Sequence, residues 1–238
     1  MSRELIAVTG PDAGTYLQGQ LSQDVLALDV GASAPTLLLE PSGKLGYWFG
    51  VTRTGTDAFE LDVDAGFGEA IMTRLQRFKI RTAAEIQRRE GGRIDDVLPE
   101  SDRIEAGIPK MGAEVADGVI PGELGQAVID ASVSFTKGCY TGQELVARVD
   151  SRGGNVPRHL RRLVIDAGEV PPEGAEVMVN DKVVGSITSS AWSATRGAPV
   201  ALAFIARSVA PPARAELRWP GGTSSAEIGE LPSSLAGS

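Results

Sequence analysis

Lys137-Gly138-Cys139-Tyr140-Thr141-Gly142-Gln143-Glu144 carries the only cysteine of the chain. Thr141, followed three residues later by Glu144 and then by Leu145, Val146, Ala147 and Val149, reads as a capping box that opens a helix. Cys139 then precedes a helix N-terminus. Orphan amides and the positive end of the macrodipole favour a thiolate there, and Lys137 adds a nearby positive charge. Gly138 and Gly142 remove side chains on either side and leave room for a ligand or partner to approach the backbone. The competing reading of Cys139 is a small buried hydrophobe, the commoner fate of a lone cysteine.

Toward the N-terminus, Leu5 to Val8 is a short apolar run. Thr9 with Asp12 makes a second capping box, and Ala13, Leu17 and Leu21 recur at helical spacing. Thr36-Leu37-Leu38-Leu39 and Leu45 to Val51 flank Pro41-Ser42-Gly43-Lys44, a hairpin pattern. Phe59 to Val63 alternates as a third strand, and Phe67, Ile71, Leu75 and Phe78 mark one face of a helix ending near Lys79. Arg81 to Ile86 reads as a fourth strand.

Beyond the cysteine the pattern changes to short strands. Leu160 to Ile165, Glu176 to Val179, Val183 to Thr188, Val200 to Ile205 and Ala215 to Trp219 are separated by Gly, Pro, Asn and Asp, with Asn180-Asp181-Lys182 as a tight turn. From Pro220 onward Gly, Ser and Pro dominate, which predicts a loose tail after a last short strand. Two domains are expected, 1–154 and 155–238.

The whole chain sets outer bounds. At 238 residues and 42% hydrophobic content it suits one or two globular domains. No apolar run is long enough for a membrane helix, and the N-terminus shows no charged-then-apolar leader, so a cytoplasmic protein is expected. One cysteine excludes internal disulfides and any all-cysteine cluster or zinc site, which needs about four ligands. A net charge of -8 argues against nucleic-acid binding. Arg74, Arg77, Lys79, Arg81, Arg88 and Arg89 form a basic stretch best read as a solvated face. His159, the sole histidine, lacks companions and is assigned no role, and no residue is assigned to a metal. No P-loop or dinucleotide-binding glycine motif occurs.

The octapeptide closely resembles the signature of the YgfZ family of folate-binding proteins, relatives of the glycine-cleavage aminomethyltransferase that serve in iron-sulfur cluster assembly or repair. Other stretches share the resemblance. Tyr16-Leu17-Gln18-Gly19-Gln20-Leu21-Ser22-Gln23-Asp24 resembles the family's opening helix, and Pro41-Ser42-Gly43-Lys44 its first turn. Arg103-Ile104-Glu105-Ala106-Gly107-Ile108-Pro109 with Gly112-Ala113-Glu114, and Ile120-Pro121-Gly122-Glu123, resemble two central elements. Gly185-Ser186-Ile187-Thr188-Ser189 resembles a strand of the C-terminal barrel.

The resemblance implies an α+β aminomethyltransferase-like folate-binding fold followed by a small β-barrel. The middle is shortened, because only Gln87 to Asp102 stands where relatives carry a further half-domain. It implies tetrahydrofolate or a derivative as cofactor and iron-sulfur proteins as clients. Glu105 would accept hydrogen bonds from the pterin ring, as a carboxylate can from an amino group and the adjacent N–H; without the resemblance it reads as a solvent-facing strand residue. Tyr140 and Trp48 would offer aromatic surface, or serve as core. Gln143 and Glu144 would complete the cofactor surroundings, with Cys139 and Lys137 as the chemical groups. Aminomethyltransferases carry an acidic pair where this chain has Gly46 and Tyr47, so aminomethyl or one-carbon transfer is the alternative function. A noncatalytic scaffold with a decayed folate groove is the third.

Overall fold

Strict alternation in Ala58–Asp64 places Phe59, Leu61 and Val63 on one side of a strand and Glu60, Asp62 and Asp64 on the other, so that one face of a sheet is buried. The computed structural model describes residues 3–89, 98–166 and 168–235 and divides into two units. The first consists of Met1–Val97, Lys110–Val119 and Ile129–Arg148. Its five-stranded antiparallel sheet has the order β2-β3-β4-β1-β5, with β1 at Arg3–Thr9, β2 at Ser33–Leu39, β3 at Leu45–Gly55, β4 at Ala58–Asp64 and β5 at Glu85–Arg89. Helices α1 (Ala13–Gln20) and α2 (Gly68–Arg77) contribute Leu17, Ile71 and Leu75 to a core with Ile6, Val8, Phe59 and Leu61, all fully buried. Burying each such side chain stabilises the fold by about 1.5–3 kcal/mol.

Two local expectations are corrected. The fourth strand starts at Glu85 rather than Arg81, because Arg81 takes a left-handed backbone (φ 52) and Lys79 Nζ is tied to the Ala84 carbonyl at 2.5 Å. The Thr9 capping box is not formed. Asp12 occupies the N-cap position of α1 without a side-chain cap, and its carboxylate accepts the Ala83 N–H at 2.7 Å instead. Of the basic stretch read as a solvated face, Arg77, Arg81, Arg88 and Arg89 are exposed. Arg74 lies 3.8 Å from the Phe78 ring centre and donates to the Leu39 carbonyl, while Arg88 and Arg89 pair with Glu4 and Glu60.

The second unit consists of Leu98–Pro109, Ile120–Val128 and Val149–Ser238. Its centre is a closed barrel of order β10-β11-β6-β9-β8-β7: β6 Arg158–Ile165, β7 Glu176–Val179, β8 Lys182–Ser193, β9 Ala198–Ala206, β10 Ala213–Trp219 and β11 Gly222–Gly229. Asn180 and Asp181 both adopt positive φ (51 and 60), the backbone a two-residue hairpin between β7 and β8 requires. The stretch expected to be a loose tail instead supplies β11, which pairs with both β10 and β6 and buries Ala226 and Ile228. After it, Leu235 is again buried.

Arg103 to Pro109 is not a strand. Glu100–Glu105 forms helix α3, closed by Gly107 (φ 68): the Gly107 N–H reaches Ile104 O and the Ile108 N–H reaches Arg103 O, a Schellman ending. The remaining helices are α4 (Gln126–Ser132) and α5 (Gln143–Ser151). Among the described residues no helix is long and apolar enough to cross a membrane.

Candidate functional site

The cysteine segment meets the first hairpin turn through two glycines. Gly43 and Gly142 both have left-handed backbones, with φ of 81 and 80. A Cβ on Gly142 would stand 2.5 Å from the Glu40 carbonyl, and one on Gly43 would stand 2.4 Å from Leu145 Cβ. The room expected at Gly142 for a ligand is therefore filled by the β2–β3 turn. Gly138, by contrast, has nothing within 4 Å of its Cβ position.

This approach leaves a cleft of about 340 Å³. Pro41, Ser42 and Gly43 line one side, Cys139, Tyr140 and Gly142 the other, and Gln143, Glu144, Leu145 and Arg148 of α5 close it. Cys139 is exposed. Tyr140 is buried, which pushes its phenol up to about 12 and keeps it neutral. Gln143 folds back so that its Oε1 accepts the Tyr140 N–H at 3.0 Å. The Thr141 capping box is not formed, because the Thr141 N–H and hydroxyl both go to the Gly19 carbonyl, at 3.1 and 3.5 Å.

Lys137 does not line the cleft. Its ammonium donates to the Leu21 and Gln23 carbonyls at 2.7 and 2.8 Å and lies 5.1 Å from the centre of the Tyr140 ring. Burial pulls its pKa down to about 8, with Asp24 opposing the shift.

Of the other expected residues, Trp48 is half-buried on β3, where its Nε1 donates to Ser132 Oγ at 2.9 Å, and it is not part of the cleft. Glu105 belongs to the second unit, at the end of α3. Its carboxylate accepts from Ser193 Oγ and, at 2.9 Å, from Arg196 Nε. The Ser193 bond, then Arg196, holds its pKa below the usual carboxylate value. His159 lies on β6, its pKa lowered by burial and by Arg161. Among the described residues no cluster of three or more His, Cys, Asp or Glu is placed to hold a metal.

Sequence reasoning missed Arg148, Pro41 and Ser42 as cleft residues. Arg148 was within reach, since it lies four residues after Glu144 on the same helix and so shares its face. The turn residues gave no such signal, because the contact that brings them to α5 crosses about a hundred residues of chain.

The five-stranded sheet, the closed barrel and the cleft beside the first hairpin define an aminomethyltransferase-like fold. Residues 158–233 match the glycine cleavage T-protein C-terminal barrel domain. The fold superposes on the crystal structure of the glycine cleavage system aminomethyltransferase T from Bartonella henselae with a TM-score of 0.84, covering 97% of this chain and 83% of that one at 17% identity. The aminomethyltransferase of Streptomyces avermitilis is 30% identical over 89% of this chain and 54% of its own length. An uncharacterized protein of Haemophilus influenzae is 27% identical over 79% of this chain and 81% of its own. The chain is thus similar to aminomethyltransferases over most of its own length, and it spans about half the length of those it matches.

Proposed function

We propose that this protein binds tetrahydrofolate and supports assembly or repair of iron-sulfur clusters on client proteins, with Cys139 as its reacting group, in the manner of YgfZ-like accessory factors. The observation that carries this reading is the exposed Cys139 thiol on the rim of a polar cleft within an aminomethyltransferase-like fold. A cleft of about 340 Å³ is of small-molecule size. As a thiolate, Cys139 would attack an electrophilic sulfur or one-carbon species and displace the thiolate or amine that carries it, or ligate iron whose remaining ligands come from the client. Tyr140, Gln143 and Glu144 shape its surroundings, and cytoplasmic location belongs to the same proposal.

Glu105 is the proposed acceptor for the pterin, and a fit is physically reasonable. Its pair with Arg196 is solvent-accessible, with side-chain exposures of 22% and 36%. Exposed pairs contribute about 0–1 kcal/mol, so a ring donor can displace Arg196 from one oxygen at little cost, while the bond from buried Ser193 to the other is kept or shared. Trp48 is proposed as aromatic surface for the cofactor.

One-carbon transfer is the second reading, favoured by the similarity to aminomethyltransferases. Position 46 opposes it. A Cβ on Gly46 would stand 2.8 Å from the Leu38 carbonyl, so a carboxylate side chain does not fit there without a shift of backbone.

Anaerobic titration with tetrahydrofolate, read by tryptophan fluorescence, tests the proposal. Saturable quenching is expected, weakened about tenfold in Glu105→Gln, the loss of one charge-assisted acceptor. Cys139→Ser is expected to bind folate normally and fail to support cluster assembly. Absence of saturable binding would refute the folate reading, and turnover of methylene-tetrahydrofolate by the isolated protein would favour transfer chemistry.

A further inference from the structure

The segment that carries the thiol leaves its neighbour and returns to it. The Ser134 N–H donates to the Ser22 carbonyl at 3.0 Å, and the Thr141 N–H donates to the Gly19 carbonyl at 3.1 Å. The two segments therefore run antiparallel, and residues 135–140 arch outward opposite only Gln20 and Leu21. Phe135 and Cys139 are exposed on this arch, and Gly138 faces open space.

An arch supported only at its feet has many backbone conformations, and a thiol carried on it has no defined direction. Here the interior is spanned. The Lys137 side chain runs back beneath the arch to the Leu21 and Gln23 carbonyls, under the Tyr140 ring. The entry foot is pinned twice more: Ser22 Oγ donates to the Ser132 carbonyl at 2.6 Å, and Gln23 Nε2 donates to the Ala131 carbonyl at 2.9 Å. These bonds give the Gly19-Gln20-Leu21-Ser22-Gln23 stretch a task that the folate reading does not use.

We propose that Lys137 is a positioning residue for Cys139: its side chain is an internal strut that sets the 135–140 arch and so the direction in which the thiol meets the cleft, with Ser22 and Gln23 as anchors. The groups facing Nζ are the two carbonyls, Tyr140 and, further off, Asp24. The strut does not require the ammonium form, because a neutral amine keeps two N–H donors for two carbonyls. Methionine matches the stem of lysine and offers no donor, whereas arginine presents a fork of donors and restores the contacts.

The importance of this geometry rests on Cys139 being the reacting group, but its test does not. Hydrogen exchange at neutral pH and the rate of Cys139 alkylation by iodoacetamide are measured on the wild type, Lys137→Met and Lys137→Arg. In Lys137→Met the arch amides are expected to exchange about tenfold faster while those of β1, β3 and β4 keep their protection. The alkylation rate should change by about threefold, and Lys137→Arg should restore both. The proposal is overturned if arch exchange and alkylation stay within about twofold of wild type, or if exchange rises evenly across the sheet, which would make Lys137 a general stability residue. Should Lys137→Met not fold, Gln23→Ala must accelerate exchange across 131–141 selectively, and no local change there overturns the strut. A Cys139→Ser protein that still supports cluster assembly would defeat the functional reading and leave the exchange result standing.

Discussion

Lys137 loses hydration that two carbonyls and an aromatic face only partly replace, which is why its pKa falls from 10.5 to about 8. The sign of the linked stability follows. Between pH 8 and 10.5 the unfolded chain holds a proton that the folded chain has released, so stability rises with pH across that window. Below pH 8 both forms are protonated and the cost of burying the charge is fully present. Tyr140, raised from 10.0 to about 12, opposes this trend as pH rises through 10, where the unfolded phenol ionises first, and it does so equally in wild type and Lys137→Met. Urea unfolding of wild type against Lys137→Met, from about pH 7.5 to about pH 10, should shift in favour of wild type; a constant difference would show that the amine stays hydrated. Gly142 is the other decisive residue. Its φ of 80 and the 2.5 Å approach of the Glu40 carbonyl leave no place for a Cβ. Gly142→Ala should cost about 2–4 kcal/mol in urea unfolding, and a loss below about 0.5 kcal/mol would mean that the turn and the cysteine segment are not interlocked.

Among the elements, both expected capping boxes failed for one reason. Asp12 and Thr141 each found a partner distant in sequence, the Ala83 N–H and the Gly19 carbonyl, and those contacts orient the two side chains away from the capping geometry. The hairpin at Asn180-Asp181 was legible because a tight turn depends on the residues within it. Helix α3 was legible in principle and was missed. Gly107 followed at once by Ile108 and Pro109 is a helix-ending pattern, which a short helix of only six residues hides from any test of periodicity. Gly107→Ala must hold a φ of 68 with a Cβ only 3.1 Å from Leu231, so a loss of about 1–2 kcal/mol is expected. A melting temperature unchanged from wild type would rule out the Schellman ending as a stabilising feature.

At the scale of the molecule, barrel closure depends on the segment whose Gly and Ser content predicted looseness. β11 sits between β10 and β6, so its removal would leave two open edges and uncover the core around Leu163 and Leu217. Truncation before Gly222 is expected to abolish cooperative melting of the barrel and promote association, read by circular dichroism and sedimentation; a monomer with native spectra would show closure to be dispensable. The composition of β11 misled because Gly and Ser are judged as coil formers singly, whereas a closed barrel supplies hydrogen-bonding neighbours on both sides of the strand.

What the sequence by itself determined was the run of strands and turns, the likeness to aminomethyltransferases that implied their fold, and the identity of the thiol. Those depend on alternation, turn chemistry and short motifs, all set by residues within a few positions of one another. Only the tertiary structure decided that Gly142 receives the hairpin turn, that Lys137 reaches beneath the arch to Leu21 and Gln23, and that Glu105 is held by Ser193 and Arg196. Each of these joins residues about ninety or more positions apart. No local pattern names such partners, because packing and hydrogen-bond satisfaction are settled by which distant segments the closed core brings together.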